Sequence, residues 1–358
     1  MTGQPGIALE GLTLLHEAPL TPIDAELRGW RHGLALFGAL LLGLGALVGW
    51  LLGRTFLAPI QAIARGIEAV DRRDFRHRIA WPGNDEFARL AQSFDGMLET
   101  MADLEVGRIV QEGLFPRTLL EAETLSVYGR CVPATAMGGD YYDFLRLEEG
   151  AVAVALGDVS GHGVGAALVM AMAKALSVNL ALDGVPPLEI LHRLNRVLLE
   201  TLQRRKTFSV VFLVLEPAVG RLSMINAGQS FPLRVRAGTG TYLPQVNYPL
   251  GSRQRLALQV VEHDLRPGDR LILFSDGLVE AIRPDGRPIG YEALAARLPA
   301  LIGPSPVETE ANLRAWAAAE TAGAPPADDV TIVAVHVGGE AVAPPPVPVC
   351  DCGPLLPG

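Results

Sequence analysis

Cysteine is scarce in this chain of 358 residues, which contains only Cys131, Cys350 and Cys352. Three cysteines cannot build the dense disulfide framework of a small secreted domain. A reducing compartment is therefore predicted for the main folded part of the chain. The spacing Cys350-Asp-Cys352 could bind a metal ion, but it lies in a proline-rich stretch, and a metal site there is not the favoured interpretation.

Excess positive charge is also missing, since the formal net charge is −9 at pH 7 and no basic stripe is present. This charge balance argues against nucleic acid as a partner. The N-terminus lacks the basic and apolar stretches of a secretory signal peptide, because the apolar run at residues 12–15 is too short. Residues 1–32 are predicted to be a short extracytoplasmic segment with little structure of its own. The pattern leaves open whether they are the remnant of a larger sensor.

Charged residues are absent from Gly33 to Gly53, where leucine, alanine and glycine dominate. A run of roughly 20 apolar residues is long enough to cross a bilayer as a helix. A buried helix of a soluble protein is the alternative, but so many glycines would weaken such a helix in water, whereas membrane helices tolerate them. Residues 33–53 are therefore predicted to be a single transmembrane helix.

Basic residues are more numerous after this span than before it. Those before it are Arg28, Arg31 and His32, and those after it are Arg54, Arg65, Arg72, Arg73, Arg76 and Arg78. Cytoplasmic flanks of membrane helices carry the excess of lysine and arginine. The C-terminal side of the span is therefore predicted to lie in the cytoplasm.

Two short helical patterns with coiled-coil spacing follow the span. Their apolar positions are Ile60, Ile63, Ile67 and Val70, and then Phe87, Leu90, Phe94, Met97, Met101 and Leu104. A polar connector with Pro82-Gly83-Asn84 separates them, Pro59 lies just inside the first helix, and Asp85 opens the second. Residues 54–105 resemble a HAMP domain, and the resemblance implies a parallel homodimeric four-helix bundle. A generic amphipathic hairpin is the alternative.

The apolar pattern changes phase after Leu104, where the next positions are Val106, Ile109, Val110 and Leu114. Such a shift is typical of a stutter in a coiled coil. Pro116 is expected to end the helix. Residues 106–118 are accordingly predicted to be a linker helix between an input and an output domain.

Residues 119–338 are predicted to form one α+β domain of antiparallel strands and helices, because short polar turns separate its apolar runs. Strands are predicted at 125–131, 151–157, 208–215, 221–227, 256–264, 270–275 and 330–337, and helices at 162–182, 187–203, 290–301 and 305–320. Residues 339–358 are rich in proline and lack any pattern, and they are predicted to be a disordered tail.

Four acidic turns lie beside predicted strands of this domain, at residues 138–143, 157–163, 275–277 and 328–331. Carboxylates that converge on one edge of a sheet would repel one another unless a cation neutralised them. Aspartate oxygens without paired histidine or cysteine suit Mg²⁺ or Mn²⁺ rather than zinc. The turns therefore predict a site for a hard divalent cation.

Six motifs, taken in their order along the chain, resemble the PPM (PP2C-type) protein phosphatases, in particular the SpoIIE/RsbU branch of bacterial serine phosphatases. They are QEGLFP at 111–116, GGDYYD at 138–143, GDVSGHG at 157–163, NAG at 226–228, SDGLVE at 275–280 and DDVT at 328–331. The resemblance implies a fold of packed antiparallel sheets flanked by helices. It also implies two Mn²⁺ or Mg²⁺ ions that activate a water molecule.

The resemblance assigns the metal ligands residue by residue. Asp158 would bridge the two ions with the Val159 carbonyl as an additional ligand, Asp276 and Asp328 would complete one site, and Asp140 would hold the second ion, partly through water. Asp158 and Asp140 are thus the expected catalytic residues. Asp329 is the alternative to Asp328.

The sequence leaves the roles of three further residues in or beside these motifs open. His162 either contacts substrate, acts as an acid or, as we favour, serves a structural role between two turn glycines. Asp143 either supports Asp140 or caps a turn. Gln229 stands where the family commonly has histidine, which puts a substrate contact at that position in doubt.

The two resemblances together imply an inner-membrane protein serine/threonine phosphatase that is regulated through a HAMP domain. By resemblance, its substrate would be a phosphorylated regulatory protein such as an anti-anti-sigma factor. The alternatives are a non-catalytic signalling module that binds a partner through the same fold, and a phosphatase for small molecules. All four acidic turns are present, which argues against the first alternative. The HAMP-like input argues against the second.

Overall fold

The structure is a computed structural model that describes residues 21–338, apart from the side chains of residues 21–26 and 149. Residues 1–20 of the predicted N-terminal segment lie outside the described residues, and residues 21–32, which were predicted to have little structure of their own, are helical. The predicted tail 339–358, with Cys350 and Cys352, lies wholly outside them. The chain divides into two compact units at residues 102 and 103.

The first unit is helical. It contains α1 (Thr21–Leu52), a π-helical turn (Gly53–Leu57), α2 (Ala58–Asp71) and the start of α3 (Glu86–Leu114). The large apolar side chains of α1, such as Trp30 and Leu42, are exposed along its whole described surface. By length and composition, the stretch Leu27–Asp71 is apolar enough to cross a membrane, with none of its most apolar window buried.

The segment between α2 and α3 is held by backbone and side-chain contacts within this unit. The Ile79 amide donates to Asp95 Oδ1 at 2.8 Å, and the Ala88 amide donates to Asp85 Oδ1 at 2.8 Å. The second bond satisfies a free amide at the start of α3. Gly66 has no room for a side chain, because a Cβ there would lie 2.9 Å from Ile79.

The second unit is a four-layer sandwich of two antiparallel sheets and the helices outside them. Its strands are β1 (Leu120–Ala122), β2 (Leu125–Val132), β3 (Asp140–Arg146), β4 (Val152–Val159), β5 (Phe208–Glu216), β6 (Arg221–Ala227), β7 (Leu233–Arg236), β8 (Thr239–Tyr242), β9 (Val261–Asp264), β10 (Arg270–Phe274) and β11 (Val330–Val337). One sheet has the order β1-β2-β11-β10-β7-β8, and the other has the order β3-β4-β5-β6-β9.

The helices of this unit pack on the outer faces of the two sheets. They are α4 (Val164–Leu182), α5 (Pro187–Leu202), α6 (Asp276–Glu280), α7 (Tyr291–Arg297) and α8 (Pro306–Glu320). One apolar cluster joins α4 and α5 to the sheet that contains β4, and another joins α6, α7 and α8 to the sheet that contains β10. A third cluster fills the space between the sheets.

Strand β4 shows why this sequence forms a layered core. Its side chains alternate between the two faces of the sheet. Val152, Val154 and Leu156 point into the cluster between the sheets, whereas Ala153 and Ala155 face α4 and α5. By length and composition alone, α4 is also apolar enough to cross a membrane. Its packing on this strand makes it a core helix.

The predicted fold class is confirmed, and most predicted elements lie within one or two residues of the observed ones. The predicted strand 256–264 is too long, because only Val261–Asp264 pairs with β6. The predicted helix 290–301 is also too long, since α7 ends at Arg297 and a short 3-10 turn follows. The sequence prediction missed β1, β3, β7, β8 and α6.

Candidate active site

Strand ends from both sheets bring the predicted acidic residues together. Asp140 begins β3 and lies opposite Asp158, near the end of β4, in the antiparallel register. Asp276 follows β10 directly, and Asp328 precedes β11, the strand paired with β10. The charges of Asp276 and Asp328 raise the pKa of Asp158, as expected for carboxylates at neighbouring strand ends.

Asp329 is a structural acceptor rather than an open carboxylate. It is 3% exposed, and its two oxygens accept hydrogen bonds from the amides of Ala134 at 2.8 Å and Gly139 at 2.7 Å. A side chain at Gly138 would collide with this carboxylate. Asp329 therefore ties the segment before β3 to the segment before β11. Its neighbour Asp328 is exposed, and its Oδ1 accepts the Asp329 amide.

Asp140 is buried at the same junction. Its Oδ2 accepts a hydrogen bond of 2.5 Å from the Thr331 hydroxyl, which crosses from one sheet to the other. Burial raises the pKa of Asp140 well above its usual value, the Thr331 hydroxyl opposes that rise, and the charge of Asp158 adds to it. Asp140 thus lies in an environment that disfavours its charged form unless a cation is present.

The start of α6 is fixed by Ser275. The Ser275 hydroxyl donates to the Asp329 carbonyl at 3.0 Å and accepts from the Thr331 amide at 2.9 Å. Gly277 packs against the Asp329 backbone with no room for a side chain. These contacts hold Asp276 in position beside the DDVT segment.

Asp158 and Asp276 are half-buried, and neither side chain receives a hydrogen bond from another residue's side chain in the described part of the chain. Burial, followed by the charges of Asp276 and Asp328, raises the pKa of Asp158 to about 7. Burial and the charge of Asp328 likewise raise the pKa of Asp276. Mutual repulsion of this kind marks a place where a cation would be stabilised.

Gly139 opens a space that is lined by oxygen atoms. A Cβ at this position would lie 2.6 Å from the Val159 carbonyl oxygen, 3.0 Å from the Gly161 carbonyl oxygen and 3.1 Å from Asp158 Oδ1. Such an all-oxygen environment fits Mg²⁺ or Mn²⁺. Across residues 21–338, however, no three acidic, histidine or cysteine side chains already converge closely enough to form a complete metal-binding group. The donor types therefore fit the expected ions, while the side chains are not yet gathered at bonding distance.

The turn after Asp158 contains two glycines with left-handed backbone conformations, Gly161 at φ 78° and Gly163 at φ 82°. Ser160 is bound to the segment before β5, because its amide donates to the Thr207 carbonyl and its hydroxyl accepts the Thr207 amide, both at 2.9 Å. The neighbouring Lys206 ammonium donates to the Ser160 carbonyl at 2.7 Å. His162 is exposed.

The end of α3 contacts the segment just before Asp140. The Gln111 side-chain amide donates to the Gly138 carbonyl at 2.7 Å and accepts the Gly138 amide at 3.3 Å. Gln111 is 7% exposed. The carbonyl of Met137, the residue before Gly138, accepts the Gly163 amide at 3.1 Å. A short chain of contacts therefore runs from α3, through residues 137 and 138, to both acidic turns of this sheet.

Asp143 and Gln229 have structural partners. Asp143 is buried and accepts a hydrogen bond of 2.6 Å from Lys174 on α4, so it ties that helix to β3. Gln229 is buried beside the NAG turn, where its backbone amide donates to Asn226 Oδ1 at 2.8 Å. The turn therefore forms with glutamine at this position.

Sequence reasoning missed Gln111, Lys206 and Thr331 as individual members of the site. Gln111 and Thr331 lie inside the quoted motifs, and Thr331 is also a polar residue between two apolar ones. Lys206 had a compositional signal, because the chain contains two lysines, Lys174 and Lys206. Its position beside Asp158 depends on the pairing of β4 with β5, which sequence spacing does not give.

Comparison with known proteins agrees with this fold. The family model of Stage II sporulation protein E (SpoIIE) matches residues 148–338, and the HAMP domain model matches residues 51–103. The phosphoserine phosphatase RsbU of Bacillus subtilis is 28% identical over 190 residues, which cover 52% of this chain and 56% of RsbU. Protein IcfG of Synechocystis sp. is 23% identical over 340 residues, which cover 82% of this chain and 53% of IcfG.

The SiaA-PP2C domain of Pseudomonas aeruginosa has a similar fold, with a TM-score of 0.59 and 20% identity over 67% of this chain and 98% of that domain. The chain belongs to the SpoIIE family, whose domain is of the PP2C phosphatase type, and it also contains a HAMP domain. It spans about half the length of the curated relatives that it matches. The family match includes the motifs of Asp158, Asp276 and Asp328, and it begins after Asp140.

Proposed function

We propose that this chain is a membrane-anchored, metal-dependent protein serine/threonine phosphatase. One observation carries the proposal: four strand ends bring four mutually repelling aspartates together, of which Asp140 is buried, Asp158 and Asp276 are half-buried and Asp328 is exposed. Burial and mutual repulsion raise the pKa of Asp158 to about 7. Among the described residues these carboxylates do not form a complete metal-binding group, so we interpret the arrangement as a set of ligands that a bound cation would draw together.

Asp158, Asp276 and Asp328 are the proposed ligands of one ion, and Asp140 is proposed to hold the second, with Asp158 shared between them. The Val159 carbonyl is the proposed backbone ligand, which its approach to the space beside Gly139 supports. When bound, two Mn²⁺ or Mg²⁺ ions lower the pKa of a water molecule and neutralise charge on the phosphoryl group. The chain itself fixes the carboxylates: Thr331 orients Asp140, and Asp329 holds the two segments that meet there.

Metal dependence can be tested with the full chain purified in detergent. After chelation, hydrolysis of p-nitrophenyl phosphate and of a phosphoserine peptide should be absent, and Mn²⁺ or Mg²⁺ should restore both. Asp158→Asn, which has nearly the same shape, is the matched control and should stay inactive with either metal. Full activity in EDTA would contradict the two-metal proposal. A folded, metal-binding protein without hydrolysis would favour the non-catalytic signalling module.

Anchoring by residues 33–53 is proposed from the exposed apolar surface of α1 and the HAMP domain that follows. The proposed parts of the chain are an N-terminal segment (1–32), a transmembrane helix (33–53), a HAMP domain (54–105), a linker helix (106–118), a phosphatase domain (119–338) and a C-terminal tail (339–358). The excess of arginine after the span favours a cytoplasmic phosphatase domain in the inner membrane. A reporter fused after Gly338 should behave as cytoplasmic, and a periplasmic signal there would overturn this orientation.

Homodimerisation through the HAMP domain is proposed from the apolar side chains that α2 and α3 leave exposed in one copy of the chain. They include Ile60, Ile67, Leu90 and Met97. These residues belong to the predicted heptad seams, which bury such positions against a second copy in a four-helix bundle. Cross-linking of a cysteine introduced at Ile67 in membranes should trap a dimer, whereas a cysteine at the exposed position Arg65 should not.

The proposed substrate is phosphoserine or phosphothreonine on a regulatory protein of the anti-anti-sigma type. The likeness to RsbU, a phosphoserine phosphatase, supports this substrate class. A comparison of phosphoproteomes from wild-type and Asp158→Asn cells should show a small set of proteins with increased phosphorylation in the mutant. Accumulation of small phosphate esters without any change in phosphoproteins would point to the small-molecule alternative.

A further inference from the structure

Lys206 is fixed beside the acidic site by its neighbours. It lies between α5 and β5. The adjacent Thr207 accepts the Ser160 amide through its carbonyl and donates its own amide to the Ser160 hydroxyl. The Lys206 ammonium donates one hydrogen bond of 2.7 Å, to the Ser160 carbonyl. Because an ammonium has three N–H donors, two of them have no acceptor among residues 21–338.

The charge of Lys206 acts on the acidic cluster itself. It lowers the pKa of Asp158, in opposition to burial and to the charges of Asp276 and Asp328. A phosphomonoester carries a negative charge and would be repelled by the same carboxylates. A fixed cation at their edge would reduce this repulsion and would provide hydrogen-bond donors to phosphoryl oxygens.

The glycines next to Lys206 place no side chain over its ammonium. Gly161 and Gly165 are its neighbours on the turn and at the start of α4. A Cβ on Gly161 would lie 3.4 Å from Lys206 Nζ, and a Cβ on Gly165 would lie 3.6 Å from Lys206 Cε. The residue is half-buried, and its ammonium lies against the turn after Asp158 through the Ser160 carbonyl. Lysine suits this position because its ammonium is a compact point charge.

We propose that Lys206 binds the phosphoryl oxygens of the substrate and of the released phosphate. The proposal extends the phosphatase function proposed above and rests on it for the identity of the substrate. It makes Lys206 a phosphate-binding residue in addition to the aspartate ligands. The competing explanation is that Lys206 only holds the turn through the Ser160 carbonyl.

The test compares Lys206→Gln, which removes the charge but keeps a hydrogen-bond donor, with Lys206→Arg, which keeps the charge. Arg205→Gln is the matched control, since it removes an exposed charge one residue away. All are measured as the full chain in detergent with Mn²⁺. The readouts are the affinity for inorganic phosphate by calorimetry, the inhibition constant of phosphate, KM and kcat for p-nitrophenyl phosphate, and the affinity for Mn²⁺.

Lys206→Gln should weaken phosphate binding and raise KM by about tenfold, the loss expected for one charge-assisted hydrogen bond. Its affinity for Mn²⁺ should not fall, because removing a nearby positive charge does not repel a cation. Lys206→Arg should recover most of the phosphate affinity, and Arg205→Gln should match the wild type. If Lys206→Gln is poorly folded, the phosphate affinity of Lys206→Met, which keeps the length of the stem, is used instead.

Unchanged phosphate affinity in folded Lys206→Gln would overturn the proposal. So would a variant that loses Mn²⁺ affinity and thermal stability together with phosphate binding, since that result indicates a turn-holding role. Failure of the Lys206 proposal can be distinguished from failure of the proposed phosphatase function. A wild type that binds phosphate through Lys206 but hydrolyses no ester would remove the phosphatase function and keep the phosphate site, whereas a wild type that does neither would remove both.

Discussion

The acidic site is supplied by the β10–β11 end of one sheet and the β3–β4 end of the other, and the chain holds these two ends in different ways. At the end of β10 and the start of β11, the side chains of Ser275, Asp329 and Thr331 form hydrogen bonds that cross between segments. At the end of β4, the turn after Asp158 consists of Ser160, His162 and two glycines in left-handed conformations. Its contacts are mainly to backbone groups, to Thr207 and to Lys206.

This difference suggests a fixed half and an adjustable half of the site. Buried side-chain hydrogen bonds resist displacement because each one broken leaves an unsatisfied polar group. A glycine-containing turn has fewer such bonds and a wider range of accessible backbone conformations. We therefore expect the β10–β11 end to define where an ion can sit, and the turn after Asp158 to determine whether the last ligands reach it.

The largest effect is expected at Asp158, where the two halves meet. Asp158→Ala should lower kcat for p-nitrophenyl phosphate by at least about two orders of magnitude, because it removes the proposed shared ligand. Asp276→Ala should do likewise from the fixed half. Calorimetry should show that both variants bind Mn²⁺ more weakly while remaining folded by circular dichroism. A variant that retains wild-type kcat and metal affinity would remove that residue from the ligand set.

The next largest effect is a difference between variants of the neighbouring residues Asp328 and Asp329. Asp328 is exposed and should be an ion ligand, so Asp328→Ala should lose activity with little change in thermal stability. Asp329 accepts buried backbone amides, so Asp329→Ala should lower the melting temperature while its kcat, measured well below that temperature, falls less. Asp329→Asn serves as a milder second variant. The opposite ranking of the two kcat losses would show that Asp329 is the ligand.

Much of this arrangement could be predicted from the sequence because it depends on local pattern. The acidic turns, the antiparallel strands and the helices α4, α5 and α8 follow from apolar periodicity and turn residues. β3 was missed because Asp140 and Asp143 resemble turn residues, although both side chains are buried in a strand. The difference between Asp328 and Asp329 also escaped local pattern, because it arises from amides about 190 residues away.

Contacts between distant segments account for the other omissions. Gln111 stabilises Gly138 only because the end of α3 lies against the segment before β3. Lys206 reaches Ser160 only because β5 is the neighbour of β4. Sequence spacing gives no measure of such pairings, which depend on how strands and helices are arranged in space.

The smallest effect is expected from changing the helix that leads into the adjustable half. α3 runs without a break from Glu86 to Leu114, across the predicted phase shift after Leu104. Gln111 near its end binds Gly138, and the adjacent Met137 carbonyl accepts the Gly163 amide. Rotation of this helix would therefore act on the residues that flank both Asp140 and Asp158. We propose that HAMP signals reach the site along this route, through two arrangements of the helix.

Insertions after Leu104 test that route. Four added residues rotate the C-terminal part of α3 by about 40° beyond a full turn, whereas seven residues come within about 20° of two whole turns. The four-residue insertion should change the basal phosphatase activity several-fold in membranes, and the seven-residue insertion should leave it nearly unchanged although it adds more length. Gln111→Leu should reduce the difference between the two insertions, since it removes the contact that transmits rotation. Equal rates for both insertions and the wild type would show that residues 105–116 act only as a tether, and the contrast between the two strand ends would then have no part in regulation.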